Sequence, residues 1–323
     1  MKQKIVEVLK QLGIPFEEDV DLKRKTWIHR GGTAHLFIIP QNADDLKEIV
    51  GFLYKEQISF FLFGHTSNLY IKNNCDIDVV VSTMKCNAVE LTQSHIFCES
   101  GVSVINLSHR MIEEGIAGFE YLTELPGTVG AALVNNSSCN GNSISKLLER
   151  AEVLYPDGSV KTLTSDDFHF QYRNSDFKTG TQIGTILTLT LRRINGNTDF
   201  LREVARKNSI DREKRVGGHA KNLGCTVNKI KGSGEMSLKY SVLMRLIRIW
   251  GRLVKKDAKQ TNRAINHVLC KMAHCQQIEP YISPYNPIVF VWEDEGADAA
   301  FPLYLEFMRK VYKFNSLEIQ VVE

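Results

Sequence analysis

The stretch from 118 to 141 restricts the fold of this chain more than any other part of the sequence. Pro126 fixes φ and has no amide hydrogen, while Gly127 can adopt a positive φ, so the backbone must turn there. The small residues Gly130 and Ala131 follow and give the main-chain amides little side-chain cover. Such a turn at a helix start can offer its N–H groups to an anion, such as the pyrophosphate of a dinucleotide. The alternative is a tight turn that precedes a packed helix or strand.

A second turn lies upstream, between two short apolar runs. Residues 60–63 form a continuous apolar run typical of a buried strand, and residues 69–71 form another. The loop 64–68 between them combines a glycine with hydroxyl and amide side chains, which predicts a nest for phosphate oxygens. The sequence has no Gly-x-Gly-x-x-Gly motif, which argues against a Rossmann unit. Two loops of this kind suggest one dinucleotide that is held from both sides.

Four ordered motifs between residues 20 and 195 resemble those of the UDP-N-acetylenolpyruvoylglucosamine reductases, also called UDP-N-acetylmuramate dehydrogenases. Residues 64–68 resemble the family's Gly-x-Gly-Ser-Asn, and residues 125–141 resemble its Ile-Pro-Gly-Thr-x-Gly-Gly-Ala and Asn-x-Gly-Ala-Tyr-Gly. Residues 26–34 resemble its Thr-x-x-x-Arg-x-Gly-Gly-x-Ala, and residues 170–178 resemble its Tyr-Arg-x-Ser-x-Phe-Lys. The resemblance implies bound FAD. The implied FAD-binding residues are Gly64, His65, Thr66, Ser67, Asn68, Leu69, Pro126, Gly127, Thr128, Gly130, Ala131, Asn135 and Gly141.

The same resemblance implies a fold and a domain organisation. The expected fold class is α+β, with the two-subdomain FAD-binding fold of the vanillyl-alcohol-oxidase/PCMH type and a C-terminal α+β substrate domain. Residues 1–83 are expected to form the first FAD-binding subdomain, residues 84–195 the second, and residues 196–323 the substrate-binding domain. Turn formers cluster at 192–197, which favours a boundary there.

The family's reaction implies roles for several side chains. Hydride passes from NADPH through the flavin to an enolpyruvyl double bond, which gives UDP-N-acetylmuramate for peptidoglycan precursor synthesis. Such a site needs a cation near the substrate carboxylate and an acid on the far face. Arg173 lies in the matching motif, and its planar fork can pair with a carboxylate; a surface salt bridge or a support for the turn is the alternative. The substrate-binding residues that the resemblance implies are Tyr172, Lys178, Asn228 and Lys229.

The acid is where this sequence departs from the family pattern. Cys225 stands where the family has a proton-donating serine, and Gln320 stands where it has a glutamate. A thiol has an ordinary pKa of about 8.5, so it is a better proton donor than a hydroxyl. A glutamine can hydrogen-bond but cannot exchange a proton. The alternative for Cys225 is that it is a small buried residue without a catalytic role. Residues 231–287 do not resemble the family, so the sequence leaves the identity of the substrate open.

Composition excludes several classes of protein. With 323 residues, 43% of them hydrophobic and 24% charged, the chain resembles an ordinary globular protein of two or three modules. No run of eighteen apolar residues occurs, so the cytoplasm is the expected location and no membrane partner is expected. The seven cysteines include no Cys-x-x-Cys pair, so reduced thiols and no metal site are expected. The net charge of +3 says little about partners; no nucleic acid is expected, and the oligomeric state stays open.

A strongly amphipathic helix is predicted over residues 240–256, with one apolar face over a core and a basic face opposite. The apolar set is Leu243, Leu246, Ile247, Trp250, Leu253 and Val254. The basic set is Arg245, Arg248, Arg252, Lys255 and Lys256. A solvated face over a core seam is the simplest interpretation of this pattern.

Three functions therefore stay open. The first is an FAD-dependent reductase of UDP-N-acetylenolpyruvoylglucosamine, a nucleotide sugar, with NADPH as hydride donor. The second is another FAD oxidoreductase on the same scaffold with a different small-molecule substrate. The third is a catalytically weak flavoprotein with a binding or regulatory role, whose basic helix would meet an acidic partner, a membrane surface or nucleic acid.

Overall fold

A computed structural model describes residues 1–139, 141–216, 221–228, 238–314 and 316–323, without the side chains of residues 215 and 216. The chain divides into two compact units. Unit 1 consists of Met1–Thr26, Gly31–Thr66 and Asn73–Ile210, and unit 2 consists of Trp27–Arg30, Ser67–Lys72 and Asp211–Glu323.

Helices and strands alternate through most of the described chain. The helices are α1 Lys2–Leu12, α2 Ala43–Lys55, α3 Val104–Glu113, α4 Val129–Val134, α5 Asp176–Thr179, α6 Thr198–Val216, α7 Leu238–Leu253, α8 Ala258–Ala273 and α9 Gly296–Tyr312. The strands are β1 Phe16–Asp21, β2 Thr33–Ile38, β3 Phe61–Phe63, β4 Leu69–Ile71, β5 Asp76–Ser82, β6 Val89–Leu91, β7 His95–Glu99, β8 Ser138–Cys139, β9 Asn142–Ser143, β10 Leu148–Leu154, β11 Val160–Thr164, β12 Thr185–Arg192 and β13 Gln320–Val322.

The first sheet of unit 1 has the strand order β1-β2-β5-β3. β1 pairs with β2 antiparallel, whereas β2 and β3 each pair with β5 in parallel. Helices α1 and α2 bury their apolar stripes against this sheet, and Asn42 caps α2 by accepting a hydrogen bond from the Asp45 amide at 2.8 Å.

The prediction of a fully buried strand at 60–63 was wrong. Phe63 is buried, but Phe61 and Leu62 are 37% and 41% exposed. The reason is that β3 lies at the edge of its sheet, where it has a partner strand on one side only.

The second sheet of unit 1 is antiparallel throughout, with the order β11-β10-β12-β7-β6. Helices α3 and α4 pack on it and form a separate core with apolar residues of β7, β10 and β12. Ser103 caps α3 by accepting a hydrogen bond from the Asn106 amide, as is common for serine before an apolar helix. Unit 1 therefore has two cores, one for each sheet.

Unit 2 is built around α7, α8 and α9 and a two-stranded parallel sheet. β4 pairs with β13, with Leu69 opposite Gln320 and Val322 opposite Ile71. The core contains a group of aromatic rings, among them Trp292 and Phe301, whose centroids lie 4.9 Å apart. The pairing of β4 with a strand near the end of the chain has no local signal in the sequence.

The predicted helix at 240–256 is present as α7, but the prediction for its apolar face was partly wrong. Leu243 and Ile247 pack against the core of unit 2 as expected. Four other members of the set are exposed to solvent. They are Leu246 at 57%, Trp250 at 44%, Leu253 at 77% and Val254 at 47%. The helix covers its core with a narrower stripe than the pattern suggests, because Tyr240 and Gly251 occupy the buried side.

Candidate functional site

The two turns singled out in the sequence meet in unit 1. A Cβ atom placed on Gly64 would lie 2.6 Å from Thr128 Oγ1 and 3.1 Å from Thr128 Cγ2. Real Cβ atoms do not approach other atoms so closely, so only glycine fits at position 64 without movement. The loop after β3 and the turn before α4 are therefore in direct contact at Gly64 and Thr128.

The amides at the start of α4 have a different role from the one predicted. The Val129 and Gly130 N–H groups donate to the carbonyls of Val102 and Ser100, each at 2.9 Å. The Ala131 amide donates to Thr128 Oγ1 at 3.4 Å, which makes Thr128 the helix cap. These donors are therefore used within unit 1 and are not open to an anion. The small residues serve close packing instead, since a Cβ on Gly130 would lie 2.8 Å from Ser100 Cβ.

Some buried polar atoms of unit 1 have no hydrogen-bond partner among the described residues, and three of them belong to small polar side chains. They are Ser100 Oγ, Thr123 Oγ1 and Asn136 Oδ1. Buried polar groups in proteins are nearly always paired, so atoms of this kind mark a place where a ligand or water completes the structure. None of the three was predicted from the sequence, because a single serine, threonine or asparagine gives no motif.

The loop 64–68 is divided between the units. In unit 1, Thr66 is buried and has a φ of 53°, an uncommon backbone conformation for a β-branched residue. Burial lowers the pKa of His65 below its ordinary value of 6.5, so the neutral imidazole is favoured. In unit 2, the Asn68 side-chain amide donates to the Glu318 carbonyl at 3.1 Å, and the Gln320 amide donates to the Asn68 carbonyl at 2.9 Å.

The remaining residues of the predicted FAD set have local roles. Asn135 Nδ2 donates to the Ala131 carbonyl at 3.0 Å and closes the last turn of α4. Gly127 has a φ of 135°, as predicted for the turn after Pro126. Gly141 has a φ of 82°, and its carbonyl accepts a hydrogen bond from Lys146 Nζ at 3.2 Å.

The segment around Arg173 is tied to the end of α4. Asn136 Nδ2 donates to the Gln171 carbonyl at 2.7 Å, and Ser175 Oγ donates to the Val134 carbonyl at 2.6 Å. Ser175 also caps α5. The structure therefore places Arg173 next to the turn-and-helix element that begins at Pro126. Motif resemblance alone does not reveal the link, because it depends on the side chain of Asn136.

Arg173, Tyr172 and Lys178 are the predicted catalytic and substrate-binding residues of this segment, and they differ in exposure and in role. Arg173 has a φ of 55°, and Lys178 Nζ donates to its carbonyl at 3.0 Å. Lys178 thus supports the turn that presents Arg173, a role that the sequence did not indicate. Tyr172 is 61% exposed.

Cys225, Asn228 and Gln320 lie in unit 2, where β13 and the segment before it bring them into one neighbourhood. The Glu318 amide donates to the Thr226 carbonyl at 2.9 Å, which links the Cys225 segment to the residues just before Gln320. Asn228 Nδ2 donates to Ser316 Oγ at 2.9 Å. Gln320 is exposed and Cys225 is half-buried. Lys229, the other predicted substrate residue, lies outside the described residues.

Unit 2 also contains a cavity of about 750 Å³ that the sequence did not indicate. Its lining includes Lys259 and Arg263 of α8, together with Ser283 and Tyr285. Its walls come largely from the segment 231–287, which has no family motif. Among the described residues, none of the predicted substrate-binding side chains lines this cavity.

Two kinds of feature are absent from the described residues. No three His, Cys, Asp or Glu side chains are grouped so that they could hold a metal ion. No described helix is both long enough and apolar enough to cross a membrane.

Comparison with known proteins gives this site a context. The family model of the FAD binding domain matches residues 34–164. The UDP-N-acetylenolpyruvoylglucosamine reductase 2 of Bacillus cereus is 34% identical over 161 residues, which are 50% of this chain and 53% of the relative. The UDP-N-acetylenolpyruvoylglucosamine reductase of Enterococcus faecalis is 27% identical over 174 residues, which are 54% of this chain and 57% of the relative. The match thus spans little more than half the length of these curated relatives.

A solved structure covers more of the chain. The crystal structure of UDP-N-acetylenolpyruvylglucosamine reductase (MurB) from Thermus caldophilus matches with a TM-score of 0.70, over 96% of this chain and 100% of that chain. The sequence identity is 18%, so this likeness establishes the fold alone.

These findings define the class of protein. Residues 34–164 are an FAD binding domain in an α+β chain, so the predicted fold class and the predicted cofactor FAD are confirmed. More specifically, about half of the chain is similar to the UDP-N-acetylenolpyruvoylglucosamine reductases named above, as its motifs predicted.

The residues of unit 1 fit a bound flavin. The close approach of Gly64 to Thr128 leaves no room for a side chain at position 64, so the two turns meet there without one. The orphaned atoms of Ser100, Thr123 and Asn136 supply two hydroxyl groups and an amide oxygen, which match the polar edges of a flavin dinucleotide.

Proposed function

We propose that this protein is an FAD-dependent reductase that takes hydride from NADPH and reduces the enolpyruvyl group of UDP-N-acetylenolpyruvoylglucosamine, giving UDP-N-acetylmuramate for peptidoglycan precursor synthesis. The curated relatives named above are reductases of this name, and the similarity lies in about half of the chain. The structural observation that supports the proposal most is the hydrogen bond from Asn136 to the Gln171 carbonyl, because it joins the segment of Arg173 to the end of α4. An arginine at that position suits a substrate with a carboxylate next to its double bond.

Arg173 would bind the substrate carboxylate. A guanidinium group keeps its charge at any physiological pH and offers two parallel N–H groups to a carboxylate. Charge that moves towards the carboxylate during reduction would therefore be stabilised by a fixed cation. Bound FAD would supply the hydride chemistry, and the protein would orient the double bond. Tyr172 and Lys178 belong to the same segment, and the hydrogen bond from Lys178 Nζ to the Arg173 carbonyl would hold the arginine in place.

Cys225 would donate the proton that completes reduction at the second alkene carbon, and its thiolate would recover a proton from solvent. Gln320 would position the substrate or a water molecule by hydrogen bonding, because an amide cannot donate a proton and then carry the charge. Asn228 would fix the Cys225 segment through its hydrogen bond to Ser316. Asn228 and Lys229 would also contact the nucleotide sugar.

Flavin spectroscopy on purified protein tests the proposal. Anaerobic NADPH should bleach the visible absorbance of bound FAD, and UDP-N-acetylenolpyruvoylglucosamine should restore it. The saturated product, UDP-N-acetylmuramate, serves as the matched control and should leave the reduced flavin unchanged. Recolouring by oxygen alone, without any effect of the enolpyruvyl sugar, would instead indicate an FAD oxidoreductase with another substrate.

The expected setting of this reaction follows from its reactants. NADPH and nucleotide sugars are soluble metabolites, so the cytoplasm would be the site of the reaction. Residues 1–83 and 84–195 would hold FAD, and residues 196–323 would bind the substrate.

A further inference from the structure

Helix α7 has an apolar row that faces solvent. Val242, Leu246, Ile249 and Leu253 are spaced by four, three and four positions, so they lie on one side of the helix. Their exposed fractions are 46%, 57%, 52% and 77%, and Trp250 beside them is 44% exposed. Single exposed apolar residues are ordinary, but a contiguous row of them marks an interaction surface. We call these five residues the apolar row.

The apolar row is separate from the face that holds α7 in unit 2. Leu243 and Ile247 pack against the core, and Tyr240 is buried. A Cβ on Gly251 would lie 2.5 Å from Thr261 Oγ1 in α8, so that side of the helix is closely packed. Helix α7 therefore has two apolar faces, one covered and one open.

Positive charge borders the apolar row. Residues 238–256 contain six basic residues and no Asp or Glu. Arg245 and Arg252 adjoin the row along one side. Arg245 lies three positions after Val242, and Arg252 lies three positions after Ile249, so each arginine is one turn from a member of the row. Lys239 lies near the start of the row, and Lys256 lies beyond its end, with Nζ 4.4 Å from the centre of the Trp250 ring. The remaining basic residues are Arg248 and Lys255.

Only one kind of occupant satisfies both the apolar row and its basic border. A surface of anionic phospholipids offers acyl chains to the row and phosphate groups to the cations. A second copy of the same helix would bring two sets of six cations together, which is unfavourable. Nucleic acid would pair with the cations but leave the row in water. A protein partner would need an acidic groove, and charged residues are depleted at the centre of protein interfaces.

We propose that α7 is an interfacial anchor that binds the surface of anionic phospholipid bilayers. The helix would lie parallel to the membrane plane, with the apolar row at the boundary between headgroups and acyl chains. The general expectation of no membrane partner rested on the absence of a spanning segment, whereas the third function left open by the sequence included a membrane surface as a partner of this helix. Surface binding needs no such segment, and it does not depend on the reaction at the flavin site.

Vesicle flotation with the purified full-length protein tests the anchor. Vesicles of phosphatidylcholine with phosphatidylglycerol should carry the protein to the top of a density gradient, and pure phosphatidylcholine vesicles should not. High salt should release the protein, since the cations contribute to binding. The emission of Trp250 should shift to shorter wavelength on the anionic vesicles. Trp250→Phe should remove that shift although Trp27 and Trp292 remain.

Two variants separate the apolar and the basic contributions. Leu246→Glu with Leu253→Glu should weaken binding at least about tenfold, because two exposed anchors become anionic. Arg245→Gln with Arg252→Gln should also weaken binding about tenfold or more and reduce the salt dependence. The controls are Ile183→Glu, an apolar residue of unit 1 that is 63% exposed, and Arg150→Gln, an exposed arginine of β10. Both controls should bind vesicles like the parent.

Several outcomes would overturn the anchor. Equal binding to neutral and anionic vesicles would show that the basic border does not contribute to binding. If the double glutamate variant keeps the parent's melting temperature and binds vesicles as the parent does, the apolar row does not contribute to binding. A dimer in light scattering that the same variant dissociates would show that a second copy covers the row. Binding to an acidic protein without binding to anionic vesicles would assign the row to a protein partner.

Discussion

The backbone of Gly64 lies against the side chain of Thr128, so that a Cβ at position 64 would be 2.6 Å from the threonine hydroxyl oxygen. That hydroxyl cannot move freely, because Thr128 is 1% exposed and caps α4. The two turns of the FAD binding domain therefore fit together only while position 64 has no side chain.

Gly64→Ala should lower the free energy of unfolding by about 1–3 kcal/mol, the usual cost of an extra methyl group in a packed site. It should also reduce the FAD content of the purified protein. The matched control is Gly51→Ala in α2, where an added Cβ meets nothing within 4 Å. The control should be neutral or stabilise by up to about 1 kcal/mol, because alanine favours a helix over glycine. Urea denaturation and flavin absorbance measure both effects, and similar results for the two variants would contradict the close approach.

Asn136 should contribute to the stability of the fold through both its backbone conformation and its side chain. It is buried, has a φ of 41°, and donates to the Gln171 carbonyl at 2.7 Å. Asn136→Gly keeps the backbone conformation but removes the hydrogen bond, at a cost of about 0.5–1.5 kcal/mol. The Gln171 carbonyl is not left unpaired, because it still accepts a hydrogen bond from the Asn174 amide at 3.2 Å. Asn136→Ala should cost about 1 kcal/mol more, because a Cβ disfavours positive φ when no side-chain hydrogen bond compensates. Thermal melts of the two variants measure the difference, and an alanine variant as stable as the parent would refute this role.

Arg173→Lys should slow reoxidation of the reduced flavin by the enolpyruvyl sugar by about tenfold to a hundredfold. Lysine keeps the positive charge but loses the planar fork that pairs with a carboxylate. FAD content and reduction by NADPH should stay close to those of the parent. Stopped-flow absorbance measures the two half-reactions separately. Arg150→Lys, at an exposed position of β10, is the control, and normal turnover in the Arg173 variant would exclude a catalytic role.

Cys225→Ala should slow the same reoxidation step more than it slows flavin reduction, because the proposed thiol acts as proton donor only when substrate is reduced. Cys225→Ser should restore part of the rate, since a hydroxyl can occupy the same position and donate a proton. A solvent deuterium isotope effect on reoxidation should be larger in the parent than in the alanine variant. An unchanged reoxidation rate in Cys225→Ala would show that the proton comes from elsewhere.

His65 should make the apo protein less stable at acidic pH. Burial lowers the pKa of His65 in the folded state below the value of 6.5 in the unfolded chain. The contribution of His65 to the free energy of unfolding is therefore fully present above pH 6.5, where the imidazole is neutral in both states. As the pH falls below 6.5, the unfolded chain binds the proton first, and the stability is lost progressively down to the lowered pKa. Chemical denaturation between pH 8 and about pH 5 in the parent and in His65→Gln measures this contribution. Identical pH dependence in both proteins would show that burial of His65 has no energetic consequence.

Several elements could be predicted because their signals are local. Asn42 and Ser103 cap the helices that follow them, and Gly127 has the positive φ that a turn after Pro126 requires. Other features depend on residues far apart in sequence. Asn68 donates to Glu318, 250 positions away, and no motif at either residue indicates the pair. Amphipathic periodicity also predicted α7, but periodicity cannot say which of two apolar stripes is covered.

The sequence by itself determined the turns, the caps, the alternation of helices with strands and the FAD-binding motifs, because each depends on the conformational preferences of a few neighbouring residues. Tertiary structure decided what those elements do. It paired the amides at the start of α4 with the carbonyls of Val102 and Ser100, left the hydroxyl of Ser100 buried without a partner among the described residues, and exposed the apolar row of α7. These outcomes depend on which surfaces meet when distant parts of the chain pack together, and composition and spacing do not contain that information.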